Sequence, residues 1–88
     1  MDIREKVAEI FITNMADYFL LDKAYIEANP DIRFKEDLAA NSMKYFPLVT
    51  ALEEDLNIEI DFHNFQYEGK TVALAIDYVA DLCRSQHK

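Results

Sequence analysis

Glycine and proline are scarce in this chain of 88 residues, which contains one glycine, Gly69, and two prolines, Pro30 and Pro47. A many-stranded sheet needs a turn between successive strands, and such turns draw heavily on these two residue types. The scarcity therefore predicts an all-α fold. We also expect a single domain, residues 1–88, because a chain shorter than the usual roughly 100 to 150 residues cannot divide its core.

The first helix is predicted from about Ile3 to at least Met15. Its apolar residues recur at intervals of three and four, which places them along one side of an α-helix. The following residues, 16–41, lose this period and contain Asn29-Pro30, where proline disfavours helical geometry at the residue before it. We expect a long loop there, with room for one further helical turn, whose many apolar side chains pack over the helices. The residues of the first stripe are Ile3, Val7, Ile10, Phe11 and Met15.

A second stripe predicts a helix from about Ser42 to Leu56, with Asn57 beyond its end. Pro47 lies inside this helix, removes one backbone donor and crowds the preceding turn, so we expect a kink or a late start. The stripe comprises Tyr45, Leu48, Val49, Leu52 and Leu56.

A short helix or turn is predicted between Asp61 and Tyr67, and a last helix begins after Thr71 and ends near Cys83. Thr71 is a candidate N-cap, because its hydroxyl can accept from an unpaired backbone amide. Together the helices predict a small four-helix bundle of three main helices and one short helix, with a long loop between the first and second. The last stripe comprises Val72, Ala75, Ile76, Val79 and Leu82.

The charge balance excludes several kinds of partner. Nine Lys and Arg residues face seventeen Asp and Glu residues, so the formal net charge is -8 with neutral histidines. Such a surface repels nucleic acid and anionic lipid, favours basic protein partners and opposes tight self-association, so we expect a monomer. No apolar run approaches the roughly 20 residues of a membrane span, and no membrane insertion is expected.

The expected location is the cytoplasm. The single cysteine, Cys83, excludes an internal disulfide and fits a reducing compartment. The first six residues include acids, which a secretory signal or transit peptide lacks.

Two patterns are candidates for a metal site or for a catalytic site, and neither has the residues that such a site requires. Oxygen-bearing side chains alternate through residues 55–61 as in an EF-hand loop, but Ile60 stands at the glycine position and Gln66 at that of the bidentate glutamate. His63, His87 and Cys83 have no spacing that supplies a partner ligand or base. No metal site is expected.

Three separated segments resemble the acyl carrier protein family. Residues 34–43 read FKEDLAANSM, where the family has F-x-E-D-L-G-x-D-S-L at the start of its second helix. Residues 51–60 read ALEEDLNIEI, where the family closes that helix with A-L-E-E-x-F-x-x-E-I. Residues 71–79, TVALAIDYV, are similar to T-V-x-x-A-I-D-Y-I of its final helix. The segments keep the family's order, and the resemblance covers nearly the whole chain.

The resemblance implies that Ser42 is the attachment point of 4′-phosphopantetheine, with Asn41 and Met43 beside it in place of the family's aspartate and leucine. A separate phosphopantetheinyl transferase, the holo-synthase, would transfer this group from coenzyme A with Mg²⁺. A helix N-terminus favours the incoming phosphodiester. The arm would hold acyl groups as thioesters and present them to partner enzymes, while the carrier itself catalyses nothing.

The resemblance also implies a docking surface for acyl-transferring or condensing enzymes with basic patches. Glu53, Glu54 and Asp55 keep the usual acidic sign, whereas Lys44 and Pro47 stand where family members commonly carry acids. These departures predict a carrier that serves a dedicated set of partners.

An acyl pocket is implied between Phe46, Val49, Leu52 and Ile60. Phe46 replaces a smaller aliphatic residue of the family, so we expect a long acyl chain to be poorly sheltered. The cargo could belong to fatty acid, polyketide or related secondary metabolism. An acidic interaction module with an unmodified serine is the alternative, and a small enzyme is disfavoured because no catalytic groups converge.

Overall fold

The computed structural model describes residues 3–38 and 42–87, with the backbone alone at residue 42. These residues form six helices and one isolated β-bridge, which confirms the predicted all-α fold. The helices are α1 (Ile3–Phe19), α2 (Lys23–Ala28), α3 (Phe34–Leu38), α4 (Ser42–Leu56), α5 (Phe62–Glu68) and α6 (Val72–Gln86). None of the described helices is long and apolar enough to cross a membrane.

The first helix continues past Met15 and ends in a left-handed residue. Leu20 follows α1 with a φ of 56°, and the amide of Leu21 donates to the Ala16 carbonyl at 3.0 Å. This closure satisfies a carbonyl of the last turn, a role usually given to glycine. Leu20 therefore holds a conformation that L side chains rarely adopt, and it is 90% exposed.

The prediction of a long loop over residues 16–41 was wrong for most of the part that the structure describes. Besides the end of α1, this stretch contains α2 and α3, of six and five residues. Asp22 caps α2 through its side chain, and Ile26 and Phe34 are fully buried. Helices this short bury only one side chain each, so their sequence shows no repeating stripe.

The second long helix, α4, has the predicted bounds. It begins at Ser42, so Pro47 does not delay its start. Asn57 ends it with a φ of 53°, and the Ile58 amide donates to the Glu53 carbonyl at 3.2 Å. Asparagine tolerates this left-handed geometry, which explains why the helix stops there.

The last two helices are both capped by side chains, and the predicted cap at Thr71 is confirmed. The Asp61 side chain accepts from the Asn64 amide, and the Thr71 hydroxyl accepts from the Leu74 amide, each at 3.2 Å. The last helix, α6, runs three residues beyond Cys83. The glycine between these helices sits where a Cβ would lie 2.8 Å from the Phe65 carbonyl oxygen, which explains its residue type.

The core lies where α1 packs against α4 and α6. The segment before α3 is joined to the start of α6 by the antiparallel bridge between Arg33 and Thr71. Flanking backbone bonds run from the Phe34 amide to the Lys70 carbonyl and from the Val72 amide to the carbonyl of residue 32, each at 3.1 Å. These bonds hold α3 close to the connection between α5 and α6.

Candidate functional site

The predicted attachment residue, Ser42, is the first residue of α4. Its side chain is not among those that the structure describes, and Asn41 lies outside the described residues. Met43 is 84% exposed and Lys44 is also exposed, so the chain just after Ser42 runs along the surface. The first turn of α4 contains no acidic residue. No side chain of this turn therefore places a carboxylate beside its amide groups, where it would repel an anion.

An aromatic cluster lies beneath this first turn. Tyr45 is almost fully buried, with its ring centroid 5.2 Å from that of Phe34, 5.9 Å from that of Phe65 and 6.5 Å from that of Phe62. Burial, with a smaller contribution from the charge of Glu36, raises the pKa of Tyr45 to about 12. The Tyr45 hydroxyl therefore stays protonated at neutral pH and can donate a hydrogen bond.

The four residues predicted to line an acyl pocket differ in their surroundings. Val49, Leu52 and Ile60 are buried in the core. Phe46 is 62% exposed and its ring centroid lies 5.6 Å from that of Phe62. Phe46 thus covers the outer side of Phe62.

The acidic residues at the end of α4 differ in their burial and in their hydrogen bonds. Glu53 is half-buried and its Oε2 accepts from the Ile60 amide at 2.9 Å. Asp55 is exposed and its Oδ2 accepts from Asn14 Nδ2 at 2.9 Å. Glu54 is exposed. Lys44 lies at the opposite end of the helix, about 15 Å from Glu54 along the helix axis.

A groove that the sequence analysis missed opens beside Tyr45. It has a volume of about 440 Å³ and runs between α3 and the start of α6. We call it the cationic groove, because Arg33, Lys35 and Lys70 line it. These residues are up to 37 positions apart in sequence and meet only through the Arg33–Thr71 bridge, so no local motif could have revealed them.

The remaining candidate residues for metal binding or catalysis are separated. His63 is exposed, and His87 Nε2 lies 3.0 Å from the Leu56 carbonyl oxygen. Cys83 is buried, and burial raises the pKa of its thiol. Among residues 3–38 and 42–87, no group of three or more His, Cys, Asp or Glu side chains could hold a metal ion.

Comparison with known proteins finds relatives along nearly the whole chain. An acyl carrier protein of Solidesulfovibrio magneticus is 36% identical over 90% of this chain and 92% of its own length. One of Nitratidesulfovibrio vulgaris is 36% identical over 92% of this chain and 97% of its own. One of Chlorobium luteolum is 32% identical over 89% of this chain and 91% of its own length. No protein-family model matches the chain.

Proposed function

The chain belongs to the acyl carrier protein family, and from this premise we propose that Ser42 carries 4′-phosphopantetheine, to which acyl groups are attached. Its role is that of a carrier and not of an enzyme. The group would come from coenzyme A through a phosphopantetheinyl transferase. When bound, it supplies a terminal thiol that holds an acyl group as a thioester.

The observation that carries this proposal is the position of Ser42 at the exposed start of a 15-residue helix. The first amides of a helix have no partner within it and carry partial positive charge, which favours a phosphodiester. The first turn of α4 supports this fit, because it contains Lys44 and no acid. The exposed neighbours leave space for a transferase to approach.

The acidic end of α4 would guide basic partners to the carrier. Glu54 is the best candidate for this contact, because the carboxylates of Glu53 and Asp55 are already hydrogen-bonded within the chain. Lys44 at the other end reverses the usual sign, which supports a dedicated set of partners. Long-range attraction between opposite charges gives fast and reversible association, which suits a carrier that visits several enzymes.

The pathway and the location are the finer parts of the proposal. We propose that the cargo belongs to fatty acid, polyketide or related secondary metabolism. The one cysteine of the sequence, Cys83, is buried and fits work in the reducing cytoplasm.

Intact-mass measurement tests the attachment. The purified chain is incubated with coenzyme A, Mg²⁺ and a transferase of broad specificity, and we expect the mass of one phosphopantetheine to be gained. Ser42→Ala should gain nothing, whereas Ser85→Ala, at the only other serine of the sequence, should be modified as the wild type is. A wild type that stays unmodified with several transferases would favour the interaction module.

A further inference from the structure

The cationic groove adjoins the proposed attachment site. Tyr45 lines the groove and follows Ser42 by three residues, or about 4.5 Å along the axis of α4. The opposite side is held in place by the bridge between Arg33 and Thr71 and by its flanking backbone bonds. The groove is therefore a fixed depression within reach of a group attached at Ser42.

The charge of the groove opposes that of the whole chain. Three of the nine Lys and Arg residues line it, whereas the chain as a whole has a formal charge of -8. Two carboxylates reduce this local charge. Glu36 lines the groove, and the Asp37 carboxylate lies 3.5 Å from Arg33 Nη2. Three cations against two carboxylates still leave a positive balance.

The rest of the lining suits an aliphatic chain that ends in an anion. Leu74 gives apolar surface, because its side chain is exposed. Tyr45 borders the groove but is almost fully buried. Lys35 and Lys70 are exposed, so their long side chains can adjust to a carboxylate. Lys70 Nζ lies 5.4 Å from the centroid of the Tyr67 ring, and a bound carboxylate would have to draw it from that contact. A volume of about 440 Å³ lies within the range of small-molecule sites.

We propose that the cationic groove holds the terminal carboxylate of a dicarboxylic acyl group while that group is attached to the carrier. This inference rests on the proposed function and specifies the chemical class of the acyl group that the carrier bears. The methylene groups would lie against Leu74, and the carboxylate between Lys35 and Lys70. An acyl group that ends in a methyl would gain only the apolar contact.

Two forms of the carrier that differ only at the end of the cargo test this proposal. The chain is loaded by the transferase from succinyl- or butyryl-coenzyme A, whose acyl groups have the same number of carbons but end in a carboxylate or a methyl. Backbone amide NMR spectra are compared with those of the unacylated, arm-bearing form. We expect the succinyl form alone to shift the amides of Arg33, Lys35, Lys70 and Thr71.

Charge-changing variants assign the effect to the groove. The double variant Lys35→Gln/Lys70→Gln should lose most of the succinyl-dependent shift, whereas Lys23→Gln, the same change on α2, should keep it. Glu36→Gln should enlarge the shift, because it removes a carboxylate from the groove. Thermal unfolding of each variant checks that the fold is intact, and Lys35→Gln alone replaces the double variant if that variant does not fold.

Other outcomes would overturn the inference. Equal shifts from succinyl and butyryl would show that the carboxylate is not recognised. The unacylated, arm-bearing form is also compared with the chain that has no arm. If that comparison already shows the shifts, and the double variant loses them, the groove binds the phosphodiester of the arm and not the carboxylate.

Failure of loading is a separate result, because it contradicts the proposed function and not the groove. Free succinyl- and butyryl-pantetheine are then titrated into the unmodified chain. Preference for the succinyl compound, weakened about fivefold for each lysine removed, would support the groove, and equal binding would overturn it.

Discussion

The carboxylate of Glu53 accepts a hydrogen bond from the Ile60 amide, whereas that of Glu54, the next residue of α4, is exposed. Glu53→Ala would leave the half-buried amide without its charged acceptor and should lower the free energy of unfolding by about 1 to 2 kcal/mol. Glu54→Ala is the matched control and should change it by less than about 0.5 kcal/mol. Urea unfolding measures both. Equal losses in the two variants would show that the Glu53 hydrogen bond does not stabilise the fold.

The buried Tyr45 predicts a loss of stability in alkali. Burial and the charge of Glu36 raise its pKa from the ordinary value of 10.0 to about 12 in the folded chain. The folded state then binds the phenol proton more tightly than the unfolded state, so this stabilisation is complete below pH 10 and is lost as the pH rises from 10 to about 12. Burial also raises the pKa values of Tyr78 and Cys83, which add to the same trend.

The variant Tyr45→Phe isolates the contribution of Tyr45 to the loss of stability in alkali, because phenylalanine keeps the ring and has no phenol proton to lose. Urea unfolding at a series of pH values should show a shallower decline for the variant between pH 10 and 12. Identical declines in the variant and the wild type would contradict the assignment.

At the scale of the element, α4 contains a proline that a helix interior disfavours. Pro47 has no amide hydrogen, so the carbonyl of the residue four positions earlier loses its usual donor. Pro47→Ala should raise the free energy of unfolding, by up to about 3 kcal/mol. Pro30→Ala, in the connection before α3, should instead lower it by about 0.4 to 1 kcal/mol, because it loosens only the unfolded chain. Urea unfolding of both variants gives the signs, and a loss in Pro47→Ala would contradict this account of α4.

The long helices could be predicted from the sequence because each carries enough stripe residues to show its period. For α4 the prediction has the observed bounds, since Ser42 and Asn57 mark its ends chemically. The connection before it could not be predicted in the same way, because α2 and α3 each bury one residue, Ile26 and Phe34. Those two helices are stabilised by packing against residues distant in sequence, and not by a repeating apolar stripe of their own.

At the scale of the whole molecule, the charge of Lys44 is opposite in sign to the formal net charge of -8 and predicts a preference among partners. If a dedicated partner carries an acid opposite Lys44, then Lys44→Glu should weaken its binding roughly fivefold at low salt. The difference should shrink as salt is added, because exposed charges are screened. Lys23→Glu on α2 makes the same charge change and should leave binding nearly unaltered. Titration of the cognate partner measures these effects. Unchanged affinity and turnover with every cognate partner would count against the hypothesis.

The sequence and the fold supply different parts of the candidate site. Ser42 could be proposed as the attachment residue from the motif around it, because the family pattern is continuous in sequence. The cationic groove could not, because Arg33 and Lys70 become neighbours only when residue 33 pairs with Thr71. An overall charge of -8 predicts a uniformly acidic surface, and it is the fold that gathers three cations beside Tyr45.

The most direct test of the central claim is fragmentation mass spectrometry of the protein purified from the cells that make it. A carrier is modified where it works, so a phosphopantetheine should be found on the peptide that contains Ser42 and should be absent from the peptide that contains Ser85. An unmodified Ser42 in every preparation, while the cells' other carriers bear the arm, would contradict the account.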